Sequence, residues 1–311
     1  METINMKLYL APMEGITGHI FRNIHRKYFA TADRYFTPFI SMSRKLSPRA
    51  KRDILPENNQ GIDLIPQIMV ADAKEALYLS YKISEYGYSQ LNINAGCPSG
   101  TVVTKHRGAG LLKEPEYLES LLYGIYSSDE RLDYSIKLRL GWKDIKEWEN
   151  ISKIVGKYPF TEVIIHGRVR EEFYNGDAHR EALNIAQVNI TSPISYNGDI
   201  YTIEDYQKLT EDYPFIDSVM IGRGILRNPG LFDEILTGNK PQKEITLTFI
   251  NELFDMYFDI YQDEINTLYR MKELWYYLGL SHPQGEKDLK IIKKTRSVLE
   301  YKEAAKRILL K

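Results

Sequence analysis

The strongest constraint on the fold of this 311-residue chain is a regular alternation of strand-like and helix-like segments. Eight short apolar runs are each followed by a helical pattern: Leu8–Met13, Arg34–Ile40, Ile65–Val70, Gln90–Ala95, Ser135–Leu140, Glu162–Gly167, Ser192–Asn197 and Ser218–Gly222. The spacings between their C-terminal tips are 27, 29, 28, 42, 27, 31 and 25 residues, when the tips are Met13, Ile40, Met69, Cys97, Arg139, His166, Asn197 and Gly222. Eight such units are typical of a (β/α)8 barrel, whereas an open doubly wound sheet would seldom need so many even units. The sequence therefore predicts an α/β protein built on a TIM barrel.

A second pattern begins where this alternation ends, after Phe232. The segment Gly238–Pro241 is rich in turn residues, and residues 245–311 contain helical patterns only. We therefore expect two domains, a barrel over residues 1–240 and a small C-terminal all-helical domain over residues 241–311.

Charge is unevenly distributed along the chain. Residues 266–311 contain eleven Lys or Arg and five Asp or Glu, so this segment carries +6. The rest of the chain carries −7, because the whole protein has a net charge of −1. A neutral protein with a strongly positive end is typical of a polyanion binder. The alternative is a solvated helix surface that binds nothing.

The cysteine count and the lack of long apolar runs limit the cellular compartments in which we expect this protein. One cysteine allows no intramolecular disulfide, which fits a reducing cytoplasm. The N-terminal segment lacks the apolar core of a signal peptide, and no run approaches membrane-spanning length. The six histidines show no metal-ligand spacing with cysteine or carboxylates. We expect a cytoplasmic monomer without a metal or a membrane anchor.

The one long step between strand tips contains Cys97. The run Gln90–Ala95 leads directly into Gly96-Cys97-Pro98, and a glycine-punctuated segment with Lys105, His106 and Arg107 follows. A lone cysteine is more often a small buried hydrophobe. A thiol on a basic loop just past a strand end, however, is placed for chemistry.

Polar residues at the other strand tips indicate an active site. Barrel active sites form at the C-terminal ends of the strands, and a phosphate often binds at the loops after strands seven and eight. Those loops contain Asn197-Gly198-Asp199 and Gly222-Arg223, which offer backbone N–H groups and a guanidinium. The other polar tips are Gln67, Asn94, Lys137, Arg139, His166 and Arg168.

Lys137 and Arg139 alternate with Ile136, Leu138 and Leu140, so both should project to one face of the strand. That face must be the barrel interior or its mouth. A buried lysine is costly unless something negative lies beside it. An anionic cofactor edge or a phosphate would meet this need, and a salt bridge to an acidic residue is the alternative.

Taken together, these motifs resemble the tRNA-dihydrouridine synthases along nearly the whole chain. The matching segments are Ala11–Thr17, Pro66–Met69, Asn94–Pro98, Val102, Gly108-Ala109, Lys137–Gly141, His166–Arg168, Tyr174–Gly176, Asn197–Ile200 and Ile221–Pro229. No single motif is specific, but the ordered combination is. The resemblance implies an FMN-binding barrel followed by a helical tRNA-binding domain. It also implies that NADPH, acting through FMN, reduces the C5=C6 bond of uridine in tRNA.

Carried over position by position, the resemblance assigns roles to individual residues. Cys97 resembles the catalytic proton donor. The cofactor-binding residues are Pro12, Met13, Glu14, Gln67, Asn94, Lys137, His166, Asn197, Gly198, Asp199, Gly222 and Arg223. The candidates for contact with the tRNA are Lys105, His106, Arg139, Arg168 and Tyr174. The chain departs from the family pattern at Ala95, Gly230 and His179-Arg180, which leaves the target uridine open.

Two other functions fit parts of the sequence. An FMN-dependent TIM-barrel reductase of a free small molecule, such as an ene or pyrimidine reductase, would share the barrel and the phosphate site. It would not explain the basic helical end. A non-catalytic RNA-binding protein would explain that end but would not need the polar strand tips.

Overall fold

A computed structural model describes residues 6–41, 46–128 and 132–311 of the chain. In their described parts, these residues divide into two compact units. The first contains Met1–Pro12, Asp33–Asp199 and Leu209–Met220. The second contains Met13–Ala32, Ile200–Lys208 and Ile221–Lys311. The helical end of the chain therefore shares a unit with two earlier segments, and the predicted boundary after residue 240 stays a prediction.

One sheet contains every strand of the described residues. Its ten segments are β1 Lys7–Leu10, β2 Arg34–Phe36, β3 Ile40–Ser41, β4 Leu64–Ile65, β5 Gln67–Met69, β6 Gln90–Ala95, β7 Asp133–Arg139, β8 Val163–His166, β9 Ile194–Asn197 and β10 Ser218–Ile221. They are ordered β3-β5-β6-β7-β8-β9-β10-β1-β2-β4, and each pair with a defined register is parallel. All eight predicted strand positions are confirmed.

Two of the predicted runs are each split into two segments. The second run divides into β2 and β3 around Pro38, and the third divides into β4 and β5 around Pro66. Proline lacks an N–H and cannot donate to the sheet. The two breaks lie side by side, because β2 pairs with β4 and β3 with β5. The N–H of Gln67 donates to Thr37 Oγ1 at 2.9 Å across the gap.

The predicted helical segments are also present. Within the described residues, the α-helices are α1 His19–Tyr28, α2 Pro48–Ile54, α3 Ala73–Ser84, α4 Gly100–Val103, α5 Pro115–Tyr126, α6 Glu147–Val155, α7 Ala182–Asn189, α8 Ile203–Asp212, α9 Arg223–Arg227, α10 Leu231–Thr237, α11 Lys243–Tyr261, α12 Glu264–Leu278, α13 Glu286–Lys294 and α14 Val298–Leu309. Short 3₁₀ turns span Pro56–Asn58, Gly108–Leu112, Gly279–Ser281 and Pro283–Gly285. Asp72 caps α3 by accepting from the Glu75 N–H at 2.9 Å. In these described ranges, no helix has the length and apolar character needed to cross a membrane.

The core of the first unit lies on the inner face of the sheet. Side chains from different strands meet there in one buried cluster: Tyr9, Ala11, Phe36, Ile65, Ile164 and Met220. Inward-facing residues of a curled parallel sheet are expected to converge in this way. The cluster fixes the relative positions of the strands, and hence of the residues at their C-terminal ends.

An aromatic cluster forms the core of the second unit. Phe249 of α11 packs against Phe21 of α1 and Phe29, the residue that follows α1, with ring centroids 5.8 and 5.2 Å away. The His25 ring lies 6.3 Å from Phe249, and its Nε2 is 2.8 Å from the Pro229 carbonyl oxygen. Burial lowers the pKa of His25 to about 4, so the ring is neutral and packs as an aromatic residue. The helical end of the chain is therefore joined to α1 by a shared core.

We expect Phe249→Ala to destabilise the protein by about 3–5 kcal/mol, because the substitution leaves a cavity between α1 and α11. Chemical denaturation would measure the loss. Tyr276→Ala is the matched control, since this α12 tyrosine is 73% exposed and its truncation should cost no more than about 0.5 kcal/mol. Equal effects of the two substitutions would contradict the assigned core.

Candidate active site

Strand register brings the predicted site residues together. In the parallel pairs, Asn94 of β6 lies beside Lys137 of β7, and Arg139 of β7 lies beside His166 of β8. His166 in turn lies beside Asn197 of β9. Residues far apart in the sequence therefore form one row across the C-terminal ends of four strands.

Buried amides form a hydrogen-bonded chain beneath this row. Gln67 Nε2 donates to Asn92 Oδ1 at 2.8 Å, and Asn94 Nδ2 donates to Gln67 Oε1 at 2.8 Å. Asn92 Nδ2 donates to Ser135 Oγ at 2.9 Å. Sequence analysis identified Gln67 and Asn94 but missed Asn92 and Ser135. The two-residue alternation of Asn92 with Asn94 was the signal that could have found the former.

The loop that carries Cys97 is fixed at both ends. Asn94 Oδ1 accepts hydrogen bonds from the N–H groups of Gly96 at 3.1 Å and Cys97 at 3.0 Å. On the other side, the Ala109 N–H donates to the Cys97 carbonyl oxygen at 3.0 Å. Gly108 has φ +56°, and a Cβ there would lie 2.8 Å from the same oxygen. The half-buried thiol is thus held just past the end of β6, where the sequence predicted it.

Arg139 connects the cysteine loop to the loop after β8. Its Nε donates to the Gly96 carbonyl at 2.9 Å, and its Nη1 donates to the Val169 carbonyl at 3.0 Å. The guanidinium carbon lies 5.3 Å from the ring centroid of Tyr174. The Tyr174 ring also meets the His166 ring edge-on, 6.1 Å between centroids. Two residues predicted to contact substrate, Arg139 and Tyr174, therefore lie together.

Lys137 is a half-buried cation in this cluster. Desolvation by burial, and then the neighbouring charge of Arg139, lower the pKa of Lys137 to about 7. The nearby Cys97 opposes this shift, because a thiolate there would favour the ammonium form. Among the described residues, no carboxylate forms an ion pair with Lys137. The structural salt bridge considered from the sequence is therefore not formed.

His166 is buried, and only one of its two ring nitrogens is hydrogen-bonded among the described residues. Burial, and then the charges of Arg139 and Lys137, lower its pKa well below the ordinary value, so the ring is neutral. Asn197 Nδ2 donates to the Met220 carbonyl, which leaves Asn197 Oδ1 to accept from His166 Nδ1 at 3.1 Å. His166 Nε2 is then an acceptor, and it meets no partner in the part of the chain that the structure describes.

The buried guanidinium of Arg168 forms an ion pair with the half-buried carboxylate of Asp199. Only 1% of the Arg168 side chain is exposed, and it also donates to the carbonyls of Asn175 at 3.2 Å and Gly176 at 2.5 Å. These contacts support the loop that carries Tyr174. Neighbouring Gly198 is required locally, because a Cβ there would collide with the Tyr196 hydroxyl.

Lys105 and His106 lie between α4 and the 3₁₀ turn Gly108–Leu112. Both are exposed, and His106 adopts a positive φ of 51°. Its ring packs edge-on against Tyr117 of α5, 4.9 Å between centroids. Contact of these two residues with substrate stays a prediction.

The remaining predicted residues follow β1 or precede α9. Pro12 and Met13 are half-buried and Glu14 is exposed. In the second unit, Thr17 Oγ1 accepts from the Met13 N–H at 2.8 Å. Within the same unit, the Arg223 guanidinium lies 5.7 Å from the Tyr201 ring, and Gly222 precedes α9. Their cofactor contacts stay predictions.

This arrangement suits an anionic heteroaromatic ligand and a proton transfer. The first unit offers a half-buried thiol. Within the part of the chain that the structure describes, it also offers a cation that pairs with no carboxylate and a neutral imidazole whose acceptor nitrogen has no partner. Among the described residues, no group of three His, Cys, Asp or Glu side chains could hold a metal ion. The residues present are those of acid and electrostatic chemistry.

Comparison with known proteins identifies relatives of this chain. A family model described as "Dihydrouridine synthase (Dus)" matches residues 9–290. The chain is 32% identical over 229 residues to "tRNA-dihydrouridine synthase B" of Pasteurella multocida, covering 73% of this chain and 68% of that protein. It is 27% identical over 271 residues to the Shewanella oneidensis protein of the same name, covering 81% of each. A "tRNA-dihydrouridine(16) synthase" from Aquipseudomonas alcaligenes is 27% identical over 248 residues, covering 76% of this chain and 78% of that protein.

Solved structures support the fold at greater distance. The old yellow enzyme homologue from Zymomonas mobilis aligns with a TM-score of 0.54 at 11% identity, covering 77% of this chain and 91% of that chain. Morphinone reductase aligns with a TM-score of 0.53 at 10% identity, covering 77% and 88%. At such identities the likeness concerns the fold alone.

The low pKa of Lys137 predicts a pH dependence of stability. Its folded pKa of about 7 lies below the ordinary 10.5, so between these values the unfolded chain binds more protons. Stability of the ligand-free protein should therefore rise with pH, relative to Lys137→Met, by at most about 1.4 kcal/mol per pH unit.

Urea unfolding at pH 6 to 9 would measure this difference. Lys153→Met is the matched control, because the Lys153 amine is exposed on α6. A difference between wild type and Lys137→Met that does not change with pH would contradict the burial of this charge.

Proposed function

We propose, because the chain belongs to the dihydrouridine synthase family, that it reduces uridine in tRNA to 5,6-dihydrouridine, using FMN as cofactor and NADPH as reductant. The observation that carries this proposal is the position of Cys97 beside Lys137, at the C-terminal end of β6. A thiol and a cation placed together can deliver a proton and then stabilise the thiolate that remains. We place the reaction in the cytoplasm, where the substrate tRNA is found.

We also propose that the sheet closes into a (β/α)8 barrel followed by a helical domain over residues 241–311. The segments β2 and β3 form one strand position, as do β4 and β5, so the ten segments occupy eight positions. The end segments of the sheet order, β3 and β4, belong to the two positions that pair with each other. The likeness in fold to morphinone reductase and to the old yellow enzyme homologue supports this closure.

The residues of the first unit fit a flavin. The charge of Lys137 would meet the N1–C2=O edge of the ring system, where negative charge resides after reduction. The amides of Gln67 and Asn94 and the unused Nε2 of His166 supply hydrogen-bonding groups around it. The other proposed cofactor-binding residues are Pro12, Met13, Glu14, Asn197, Gly198, Asp199, Gly222 and Arg223. When bound, FMN would supply the hydride for reduction of the uracil ring at C6, with NADPH as the source of the electrons.

The protein's own contribution to the reaction is a positioned proton. Cys97 gives its thiol proton to C5, which completes the addition of hydrogen across the double bond. The resulting thiolate is stabilised by the ammonium of Lys137 and recovers a proton from solvent, because the side chain is only half-buried. Asn94 and Arg139 hold the loop so that the sulfur keeps its place. The target base lies within folded tRNA and must be swung out to reach this site.

The helical end supplies a positive surface for tRNA. Several of its basic side chains are already engaged by acids, as Arg307 is by Asp288. Five exposed cations there form no ion pair with a carboxylate in the described part of the chain: Lys287, Lys293, Lys294, Arg296 and Lys306. Unpaired surface cations are the groups that release counterions when they meet phosphates.

We expect Cys97→Ala to bind FMN and oxidise NADPH, but to lose tRNA reduction by a factor of about 10² to 10⁴, because the proton donor is gone. Flavin absorbance and mass spectrometry of digested tRNA would report the two steps. Full tRNA activity in this variant would remove the proton-donor role. Turnover of free uridine or enones by the wild type, without tRNA reduction, would favour a small-molecule reductase.

A triple substitution of Lys293, Lys294 and Arg296 by Gln should weaken tRNA binding, most strongly at low salt. The slope of log affinity against log salt concentration should fall by about 2 to 3, since each lost phosphate contact contributes roughly 0.7–0.9. Neutralisation is preferable to truncation, because removing α11 would expose the aromatic cluster around Phe249.

The matched control replaces Lys74, Lys153 and Lys157, which are exposed on or next to helices of the first unit, by Gln. Fluorescence anisotropy with labelled tRNA would compare the two variants. An unchanged salt slope in the first variant would mean that the positive helical surface is only solvated.

A further inference from the structure

The loop between β8 and α7 contains a strained and exposed aromatic residue. Phe173 has φ +52°, in the left-handed region that bulky side chains rarely adopt. Its side chain is nevertheless 41% exposed, so burial of the ring does not account for the strain. Strained residues of this kind concentrate at functional sites.

The ring of Phe173 contacts a guanidinium group that also contacts a second aromatic ring. The Arg170 guanidinium carbon lies 4.9 Å from the Phe173 ring centroid and 4.6 Å from that of Trp142. The loops that carry these residues are joined by two backbone hydrogen bonds. Arg170 N–H donates to the Gly141 carbonyl at 2.8 Å, and Glu171 N–H donates to the Trp142 carbonyl at 3.0 Å. The two rings and the guanidinium between them are hereafter the Trp142–Arg170–Phe173 stack.

This stack adjoins the candidate active site. The next residue, Tyr174, places its ring 5.3 Å from the Arg139 guanidinium, within the polar row. Arg168 holds the far end of the loop through the Asn175 and Gly176 carbonyls. Glu172 Oε2 holds the near end by accepting from the Val169 N–H at 2.7 Å. Neighbouring residues of one braced loop therefore contact the polar row and the Trp142–Arg170–Phe173 stack.

We propose that the Trp142–Arg170–Phe173 stack binds the base of a tRNA nucleotide next to the target uridine. This inference rests on the proposed function. When a base is swung out of folded RNA, its neighbours lose a stacking surface, and an aromatic ring beside the site can replace it. Arg170 adds positive charge, as does Lys113, whose Nζ lies 6.0 Å from the Trp142 ring centroid. Flat rings and cations together match a nucleobase and its phosphate.

Substitution of Phe173 by Gly tests the role of the ring in tRNA binding without a loss of fold stability. Glycine adopts positive φ without strain, so the melting temperature should stay the same or rise. The dissociation constant for tRNA should rise by about 5- to 150-fold, the effect of losing one stacked base. Phe173→Asn, which also tolerates this backbone, should behave in the same way. Phe173→Tyr should bind tRNA as the wild type does, because the ring is kept.

Two outcomes would count against the inference. If the wild-type protein reduces tRNA and the Gly and Asn variants bind tRNA normally, the proposed role of the stack is wrong. The proposed function would still stand in that case. Wild-type protein that does not reduce tRNA would overturn the function itself. Tyr123→Ala is the control, since this α5 ring is 69% exposed and belongs to no part of the site.

Ultraviolet crosslinking of wild-type protein to tRNA gives a test that needs no variant. Peptides containing Trp142 or Phe173 should carry the crosslinked nucleotide. Crosslinks confined to the helical end of the chain would contradict the proposal. Crosslinks at these rings to a co-purified protein, with none to tRNA, would do so as well.

Discussion

An enclosed positive charge that has no acidic partner among the described residues is the constraint on which the site depends. Lys137 and Arg139 project from one strand end into a space where burial lowers the pKa of Lys137 to about 7. A lysine in such a place destabilises the ligand-free protein. Binding of an anionic group compensates the charge of Lys137, so the free-energy cost of the unpaired lysine is recovered as binding free energy. His166 contributes no further positive charge, since the same surroundings keep its ring neutral.

A network of hydrogen bonds holds the groups of the site in fixed positions. The amides of Gln67, Asn92 and Asn94 satisfy one another beneath the site, so none of them can rotate without losing a buried hydrogen bond. Asn94 uses its remaining oxygen to hold the Gly96 and Cys97 N–H groups. The position of the thiol therefore follows from the end of β6 rather than from a mobile loop. Arg139 adds a second constraint by bonding to the carbonyl of Gly96.

The periodicity of the sequence predicted part of the fold and of the candidate site. The alternation in Ser135–Leu140 placed Lys137 and Arg139 on one face, and the even spacing of the tips placed Cys97, His166 and Asn197 near them. The splits at Pro38 and Pro66 were visible as prolines but were not used. The Arg168–Asp199 pair and the Trp142–Arg170–Phe173 stack could not be predicted, because each joins loops whose conformations follow no period. Nor does any local pattern predict the positive φ of Phe173.

Two of the positions expected to depart from the family pattern, His179 and Arg180, support those same loops. His179 Nε2 lies 2.8 Å from Glu172 Oε1, and this carboxylate raises the pKa of His179. Glu172 in turn braces the segment before Phe173. Arg180 donates to the Asp199 carbonyl at 3.3 Å, and Asp199 pairs with Arg168. A change at 179 or 180 therefore alters the support of the aromatic loop, and none of these contacts involves the amide chain of Gln67, Asn92 and Asn94. Arg139 is the link between the two regions, because it bonds to the carbonyls of both Gly96 and Val169. The aromatic loop can therefore vary while the amide that holds the Cys97 backbone keeps its bonds.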